Sequence, residues 1–223
     1  MTGENRAVLF DMDGVIVDSE VYWAEFEDER ILPKVLGENG ERPEPGEITG
    51  MNFREIYTHL AANYNVQVEN EEFVDLYDRT AREIYTEHAS LMPGFRELCA
   101  DLSEADVIVA VVSSSPHEWI SIVRERFDLD FDTVVSAEDV DGLGKPEPDV
   151  YEYAADLLEV SPRDCTIVED SKHGTRAAAH AGATVIGYRG EANADLDLPA
   201  ADTVVSDPEE LRAELSRQLD TGV

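Results

Sequence analysis

The chain has 223 residues, of which 43 % are hydrophobic, and its 50 acidic against 17 basic residues give a formal net charge of −33. The hydrophobic fraction can build a buried core, which excludes a wholly disordered chain, and the negative charge argues against nucleic acid because it repels phosphate backbones. No apolar run approaches the ~18 residues that span a bilayer, and no signal peptide is recognisable, so we expect a cytoplasmic protein without a membrane partner.

Short apolar runs alternate with amphipathic stretches along most of the chain. The first run, residues 6–10, stops abruptly at Asp11, as a buried parallel strand does when it reaches a sheet edge. Further runs of this kind follow after a long interval, at 107–113, 133–137, 165–170, 183–188 and 202–206. Predicted helices separate most of them, at 115–127, 148–160, 172–182 and 208–219. This alternation predicts an α/β fold with a Rossmann-like parallel sheet and helices on both faces.

The interval between the first and second predicted strands has a different pattern. Apolar residues recur there at helical spacing in three stretches, 19–36, 52–64 and 69–89. A connector rich in glycine and proline, residues 37–50, joins two of them. We therefore predict an all-helical cap domain, residues 18–90, inserted into a catalytic core that consists of residues 1–17 and 91–223.

Polar residues follow several of the predicted strands. Asp11 and Asp13 follow the first strand, serines 113–115 end the second, and residues 169–170 (Glu-Asp) end the fourth, while Lys145 lies just before the helix that leads into that strand. Ligands bind outside the carboxyl ends of the strands in open α/β sheets, so these groups are expected to share one rim. Clustered carboxylates favour Mg²⁺, and hydroxyls at a helix N-terminus together with an ammonium favour a phosphate. The pattern indicates phosphoryl chemistry on a small phosphorylated metabolite.

Each motif also has an ordinary explanation when it is taken alone. The Asp-x-Asp-Gly sequence at 11–14 could form a turn or a Ca²⁺ loop, the serines could simply begin a helix, and Lys145 could be a solvated surface residue. An EF-hand is excluded because glycine stands at the fourth position of the motif rather than the sixth. Phosphate-loop, nucleophile-elbow and dinucleotide-binding motifs are absent from the sequence. Residues 115–118 (Ser-Pro-His-Glu) have the form of a helix capping box.

Four segments, in chain order, resemble the motifs of the haloacid-dehalogenase-like superfamily: DMDGVIVDSE, VIVAVVSSS, GKPEPD and IVEDSKHG. The resemblance is to the helical-cap branch, which includes β-phosphoglucomutase and small phosphatases. It implies that Asp11 is a nucleophile that forms an aspartyl-phosphate. It also implies that Asp13 is the general acid for the leaving oxygen and then the base that activates water. The cap would close over the site and set specificity.

The resemblance also implies binding roles for several residues. The groups that would bind the substrate are Ser113, Ser114, Lys145 and Arg54. The groups that would hold Mg²⁺, the expected cofactor, are Asp11, Asp170, Asp13 through its backbone carbonyl and, in a supporting role, Glu169. Relatives of this branch suggest a monomer.

The reaction class follows from two positions. Dehalogenase relatives lack a second acidic residue two places after the nucleophile, because a halide leaving group needs no proton. An alkoxide leaving group does need one, so the presence of Asp13 favours phosphate-ester chemistry. Mutases of this branch carry a histidine where this chain has Trp23, and they hold a second phosphate with cations of the cap. Among the cationic residues of the cap in this chain, Arg54 is the best placed for that role.

We therefore expect a phosphatase acting on a small phosphomonoester such as phosphoglycolate or a sugar phosphate. A phosphosugar mutase is the alternative, and a catalytically idle scaffold or metal-binding regulator is the third possibility. Trp23 is expected to form an apolar wall of the cap with Tyr22 and Phe26, although simple packing of the cap would explain it equally well.

The distribution of charge suggests a saline environment. Acidic residues occur along the whole chain, and Lys34, Lys145 and Lys172 are the only lysines. Such a surface resembles that of proteins from salt-accumulating microbes, so we expect a halophilic archaeal source. Self-repulsion loosens a compact state unless ions screen it, and at molar salt the Debye length shrinks to about 3 Å. An acidic, very soluble protein from an ordinary habitat is the alternative.

Overall fold

The structure, a computed structural model, describes residues 6–44, 47–48 and 50–219. Its strands are β1 (Ala7–Phe10), β2 (Ile108–Ser113), β3 (Thr133–Ser136), β4 (Cys165–Glu169), β5 (Thr184–Tyr188) and β6 (Thr203–Val205). They form one parallel six-stranded sheet in the order β3-β2-β1-β4-β5-β6. The α/β fold and the parallel sheet predicted from the sequence are confirmed, with each strand a residue or two shorter than its apolar run.

Strand β1 occupies the middle of the sheet. It pairs with β2 on one side and β4 on the other, so that Phe10 lies opposite both Val111 and Val168. All four of its residues are buried, because helices cover both faces of the sheet, and this explains why its sequence is continuously apolar. The strand order reverses direction between β1 and β4, which places the expected ligand crevice just beyond Phe10 and Glu169.

The helices that flank the sheet are α5 (Phe95–Glu104), α6 (His117–Phe127), α7 (Asp149–Leu157), α8 (Lys172–Ala181) and α9 (Pro208–Leu219). Helices α7 and α8 pack on one face, where Tyr151 and Ala177 belong to the same buried cluster as Leu9. On the other face the ring of Phe10 meets Phe95 of α5 edge to face, with centroids 5.2 Å apart. Alternate residues of β1 thus point into two separate cores.

The interval between β1 and α5 is helical, as predicted. It contains α1 (Ser19–Phe26), α2 (Leu32–Leu36), α3 (Phe53–Asn63) and α4 (Asn70–Glu83). The stretch at 19–36 is interrupted by a π-helical turn at Glu27–Ile31, and the stretch at 69–89 ends in another at Ile84–His88. We call residues 18–90 the cap segment; its exact limits stay a prediction. None of the helices in the described residues is both long and apolar enough to cross a membrane.

The beginning of α3 binds the cap segment to the sheet domain. Asn52 caps this helix, and its side-chain amide donates to the backbone carbonyl of Ser114 at 2.8 Å. In the other direction the Ser114 hydroxyl donates to the carbonyl of Gly50 at 3.0 Å. The backbone N–H of Gly144 donates to Glu55 at 2.9 Å. These bonds hold the cap segment against the two loops that carry the predicted phosphate-binding residues.

Candidate active site

A pocket lies outside the carboxyl ends of β1, β2 and β4, beneath the cap segment. Its side nearest the sheet is lined by Asp11, Asp13, Ser113, Ser114, Lys145 and Asp170. These six residues come from four separate parts of the chain, and all were candidates from the sequence. The parallel sheet brings them together because each one follows a strand or a loop at the same edge.

Lys145 is the centre of a buried ion cluster. Its ammonium lies 2.7 Å from a carboxylate oxygen of Asp11 and 2.5 Å from one of Glu169. Tyr151 donates to the same Glu169 oxygen at 2.7 Å. Burial disfavours the ammonium, but the two carboxylates more than offset this and raise the pKa of Lys145 well above its usual value. Lys145 is therefore a charged group aimed at Asp11.

The carboxylates outnumber the positive charge in the pocket. Burial raises the pKa of Asp11, and Glu169 and Asp13 raise it further, although Lys145 opposes the shift. Burial likewise raises the pKa of Asp170 well above its usual value. Desolvated carboxylates at such close range are costly unless more positive charge is supplied. The excess of negative charge is the electrostatic signature of a cation-binding site.

The chemistry of the donor groups fits a divalent metal. Asp11, Glu169 and Asp170 each offer an oxygen, and these atoms lie within 4.8 Å of one another. Gly14 makes room for this group, because a Cβ there would lie 2.0 Å from Asp170 Oδ2, and its φ of +74° is one that glycine adopts without strain. The second oxygen of Glu169 accepts from the Ser171 hydroxyl at 3.2 Å. Asp11 and Asp170 are thus the more available ligands, and oxygen donors of this kind suit Mg²⁺.

Asp13 faces hydroxyl groups. Its Oδ1 accepts from Ser19 at 2.5 Å and from Tyr85 at 2.7 Å, and its Oδ2 accepts from Ser115 at 2.9 Å. Burial raises the pKa of Asp13, and the three hydrogen bonds oppose that shift. Ser19 and Tyr85 belong to the cap segment, so the position of this carboxylate depends on the position of the cap.

The capping box predicted at residues 115–118 is wrong. Helix α6 begins at His117, and the preceding residue, Pro116, provides no side-chain cap. The Ser115 hydroxyl binds Asp13 instead, and Glu118 forms an ion pair with Arg82 of the cap segment. A hydrogen bond to a buried carboxylate is stronger than one between neutral groups, which explains why the tertiary contact prevails over the local one.

Arg54 is the one predicted substrate-binding residue that the structure does not bring into this pocket. Its guanidinium pairs with Glu138 at 2.8 Å, and its side chain is 54 % exposed. Helix α3 buries Phe53, Ile56 and Leu60, so the residue that follows Phe53 points away from that face. Glu169, in contrast, lies directly beneath the pocket and is fully buried.

The cap side of the pocket combines acidic and aromatic side chains. Glu20, Trp23 and Glu27 lie on one face of α1 and its π-helical extension, at the helical spacing i, i+3 and i+7. Three more rings complete what we call the aromatic wall, which consists of Trp23, Phe53, Tyr77 and Trp119. Of the other residues expected beside Trp23, Tyr22 and Phe26 pack against His88.

Sequence reasoning missed Ser19, Glu20, Glu27 and Tyr85. The first two are the last residues of the first motif, and the spacing of Glu20, Trp23 and Glu27 was a readable signal of a shared face. Tyr85 had no such signal, because its apolar neighbours made it resemble any core position of a helix.

Comparison with known proteins agrees with this geometry. Residues 8–188 match the family described as haloacid dehalogenase-like hydrolase. The chain is 30 % identical over 179 residues to the phosphorylated carbohydrates phosphatase of Thermotoga maritima, covering 79 % of this chain and 82 % of that protein. It is also 30 % identical over 211 residues to hexitol phosphatase B of Escherichia coli K12, covering 93 % of this chain and 94 % of that protein.

Solved structures show the same fold. The crystal structure of β-phosphoglucomutase from Clostridium difficile superposes with a TM-score of 0.73 at 21 % identity, covering 96 % of each chain. The family match spans most of the sequence, from β1 to the end of β5, and includes every strand end that contributes to the pocket. The chain therefore belongs to the haloacid dehalogenase-like hydrolase family.

Proposed function

We propose that this protein is a Mg²⁺-dependent phosphatase that hydrolyses a small phosphomonoester through an aspartyl-phosphate on Asp11. The observation that carries the proposal is the buried ammonium of Lys145, 2.7 Å from Asp11, in one pocket with Asp13 and Asp170. The names of two relatives, a phosphatase of phosphorylated carbohydrates and a hexitol phosphatase, support a sugar or polyol phosphate as substrate.

In the first step a carboxylate oxygen of Asp11 attacks phosphorus, and the bond between phosphorus and the substrate oxygen breaks. Asp13, in its protonated form, gives its proton to the departing oxygen, so the product leaves as a neutral alcohol. Lys145 and the serines at 113 and 114 stabilise the negative charge on the phosphoryl oxygens, where electrostatic stabilisation matters most. Bound Mg²⁺ supplies the positive charge that lets an anionic nucleophile approach a phosphate dianion.

In the second step water attacks the phosphorus of the aspartyl-phosphate. Asp13, now a carboxylate, accepts a proton from that water, and the bond between Asp11 and phosphorus breaks. Inorganic phosphate leaves, and both carboxyl groups return to their starting protonation states.

The charges of the cap favour hydrolysis over a mutase reaction, which must hold a second phosphate. Lys34 and Arg82 lie in surface ion pairs, and Arg79 donates to a carbonyl of its own helix. Arg54 is paired at the surface as well. Among the described residues that line the pocket, Lys145 alone is a lysine or arginine. A second phosphate would meet no lysine or arginine among the described residues on the cap side of the pocket.

The proposal is tested with purified protein, Mg²⁺ and a panel of phosphorylated metabolites, in dilute buffer and in molar KCl. Phosphate release is expected from at least one sugar or polyol phosphate, and a chelator should abolish it until Mg²⁺ is added back. If the expectation of a halophilic protein holds, kcat/KM rises with KCl. Formation of glucose 6-phosphate from β-glucose 1-phosphate without phosphate release would show a mutase instead.

Tyr85 is expected to act as a positioning residue for Asp13. Tyr85→Phe should lower kcat by roughly 10–100-fold with little change in KM, because a hydrogen bond to a charged group contributes about 1.5–3 kcal/mol. The loss should be larger for an alkyl phosphate than for p-nitrophenyl phosphate, whose leaving group needs little protonation. Steady-state kinetics on both substrates measure this difference.

The matched control is Tyr57→Phe, which removes a phenol that donates to the carbonyl of Val68 at 3.2 Å, within the cap segment. It should leave kcat close to the wild-type value. Equal losses on the two substrates for Tyr85→Phe would show that the phenol only stabilises the fold.

A further inference from the structure

Two carboxylates of the cap segment project into the pocket and have no role in the phosphoryl chemistry described above. Glu20 lies in the first turn of α1, and Glu27 begins the π-helical turn that continues this helix. Both line the pocket that contains Asp11. A π-helical turn shifts the following side chains relative to an α-helix and is frequent at functional sites.

These carboxylates are incompletely paired. Within the described part of the chain, Glu27 accepts a single hydrogen bond, from the phenol of Tyr77 at 2.9 Å. Among the described groups none donates to Glu20. Neither carboxylate forms an ion pair with a lysine or arginine of the described chain. Buried or half-buried carboxylates need hydrogen-bond donors, so the pocket has acceptor capacity that the protein itself does not satisfy.

The aromatic wall adds no free donor. The indole N–H of Trp23 is used by the Tyr85 oxygen at 3.2 Å, and that of Trp119 by Asp78 at 3.0 Å. The phenol of Tyr77 already donates to Glu27. Burial raises the pKa of Glu27 to about 7, and burial and Asp13 raise the pKa of Glu20 well above its usual value. Above pH 7 the cap side therefore presents carboxyl oxygens, the negative charge of Glu27 and ring surface to whatever is attached to the phosphate.

We propose that this pocket selects phosphomonoesters whose alcohol portion carries hydrogen-bond donors, either hydroxyl or ammonium groups, and no second anionic group, with Glu20 and Glu27 as the specificity-determining residues. The inference rests on the proposed function, because it assumes that the phosphate occupies the Lys145 end of the pocket. Donors of the alcohol portion satisfy the two carboxylates, and its carbon chain packs on the aromatic wall. A second carboxylate or phosphate is repelled by ionised Glu27 and meets no lysine or arginine among the described residues on this side of the pocket.

The test compares ligand pairs that differ in one group. In the first pair, glycerol 3-phosphate carries a hydroxymethyl group where 3-phosphoglycerate carries a carboxylate. In the second pair, ethanolamine phosphate carries an aminomethyl group where phosphoglycolate carries a carboxylate. Calorimetry gives Kd for each ligand on the Asp11→Asn protein with Mg²⁺ at pH 8.5, where Glu27 is ionised, and in molar KCl, where long-range repulsion is screened. We expect each acid to bind at least about 100-fold more weakly than its partner. Whichever of glycerol 3-phosphate and ethanolamine phosphate binds more tightly shows whether the pocket prefers hydroxyl or ammonium donors.

Reversing the charge of Glu27 then tests whether this residue causes the discrimination between the ligands of each pair. Glu27→Arg in the same background should reduce the discrimination at least tenfold, and Glu27→Gln should reduce it in the same direction without adding charge. Glu25→Arg is the matched control, because Glu25 is exposed on the same helix and its replacement changes the net charge equally. It should leave the ratio unchanged.

The inference would be overturned if either acid binds as tightly as its partner ligand, or if Glu25→Arg loses as much discrimination as Glu27→Arg. It would also be overturned if neither donor-bearing ligand binds measurably at millimolar concentration. Failure of the proposed function can be distinguished from failure of this inference. In that case the wild-type protein would release no phosphate from p-nitrophenyl phosphate or any metabolite, whatever the ratios of Kd.

Discussion

Asp11→Asn is expected to reduce kcat by on the order of 10⁴-fold or more while the protein remains folded. Asparagine has nearly the same shape as aspartate, so the packing around it is kept, but its amide is not a nucleophile and cannot form the aspartyl-phosphate. Lys145 retains its second partner, Glu169, at 2.5 Å, so the ion cluster is not dismantled. Phosphate release measures the loss, and thermal unfolding checks the fold.

A covalent intermediate gives the second readout for this prediction. Acid-quenched wild-type protein should carry a substrate-derived phosphoryl group on the peptide that contains Asp11, detected by mass spectrometry, and the variant should not. Asp130→Asn is the control, because the Asp130 side chain is fully exposed and does not line the pocket. Retention of more than roughly a hundredth of the wild-type kcat by Asp11→Asn would exclude Asp11 as nucleophile.

Lys145→Met should damage both activity and stability. The side chain is 2 % exposed and holds two carboxylates, so its loss leaves Asp11 and Glu169 buried without their cation. Removal of one member of a buried ion pair costs about 3–5 kcal/mol. At about 2–4 °C per kcal/mol for a chain of this length, Tm should fall by on the order of 10 °C. Loss of the charge that faces the phosphoryl oxygens should lower kcat by about 10²–10³-fold.

The stability deficit of Lys145→Met should depend on pH in a definite direction. Burial raises the pKa of Asp11 to about 8 in the wild-type protein although Lys145 opposes the shift, so loss of the ammonium raises this pKa further. Below about pH 8 both folded proteins retain the Asp11 proton, whereas above it only the variant does. The stability of the variant relative to wild type therefore falls as pH rises above about 8 and recovers as pH is lowered. Thermal unfolding between pH 7 and 10, at fixed ionic strength, measures this effect.

Lys34→Met serves as the control for the Lys145 variant. Lys34 forms an exposed pair with Glu72 at 2.7 Å, and its side chain is 43 % exposed. Exposed pairs contribute at most about 1 kcal/mol, so both Tm and kcat should stay near the wild-type values. A Tm of Lys145→Met equal to that of Lys34→Met, or a deficit that grows as pH falls, would contradict the account of the ion cluster.

The placement of the residues closest to the sheet could be predicted because it depends on local patterns. An apolar run that stops at Asp11 and another that stops at Glu169 identify buried parallel strands, and the carboxyl ends of such strands must meet at one edge. Helical periodicity likewise revealed the cap helices, although it gave no sign of the π-helical turns at Glu27–Ile31 and Ile84–His88. The hydrogen bonds of these turns span five residues instead of the four of an α-helix, and apolar spacing over so short a segment does not distinguish the two.

The linear chain thus determined which side chains stand at the strand ends, and with them the candidate chemistry. Only the tertiary structure decided that Ser115 binds Asp13 rather than capping α6, that Tyr85 reaches the same carboxylate, that Arg54 points outward to Glu138 and that Glu27 enters the pocket. Each of these outcomes depends on how the cap segment lies against the sheet. Contacts between segments so far apart in sequence are set by the packing of whole elements, for which neighbouring residues carry no signal.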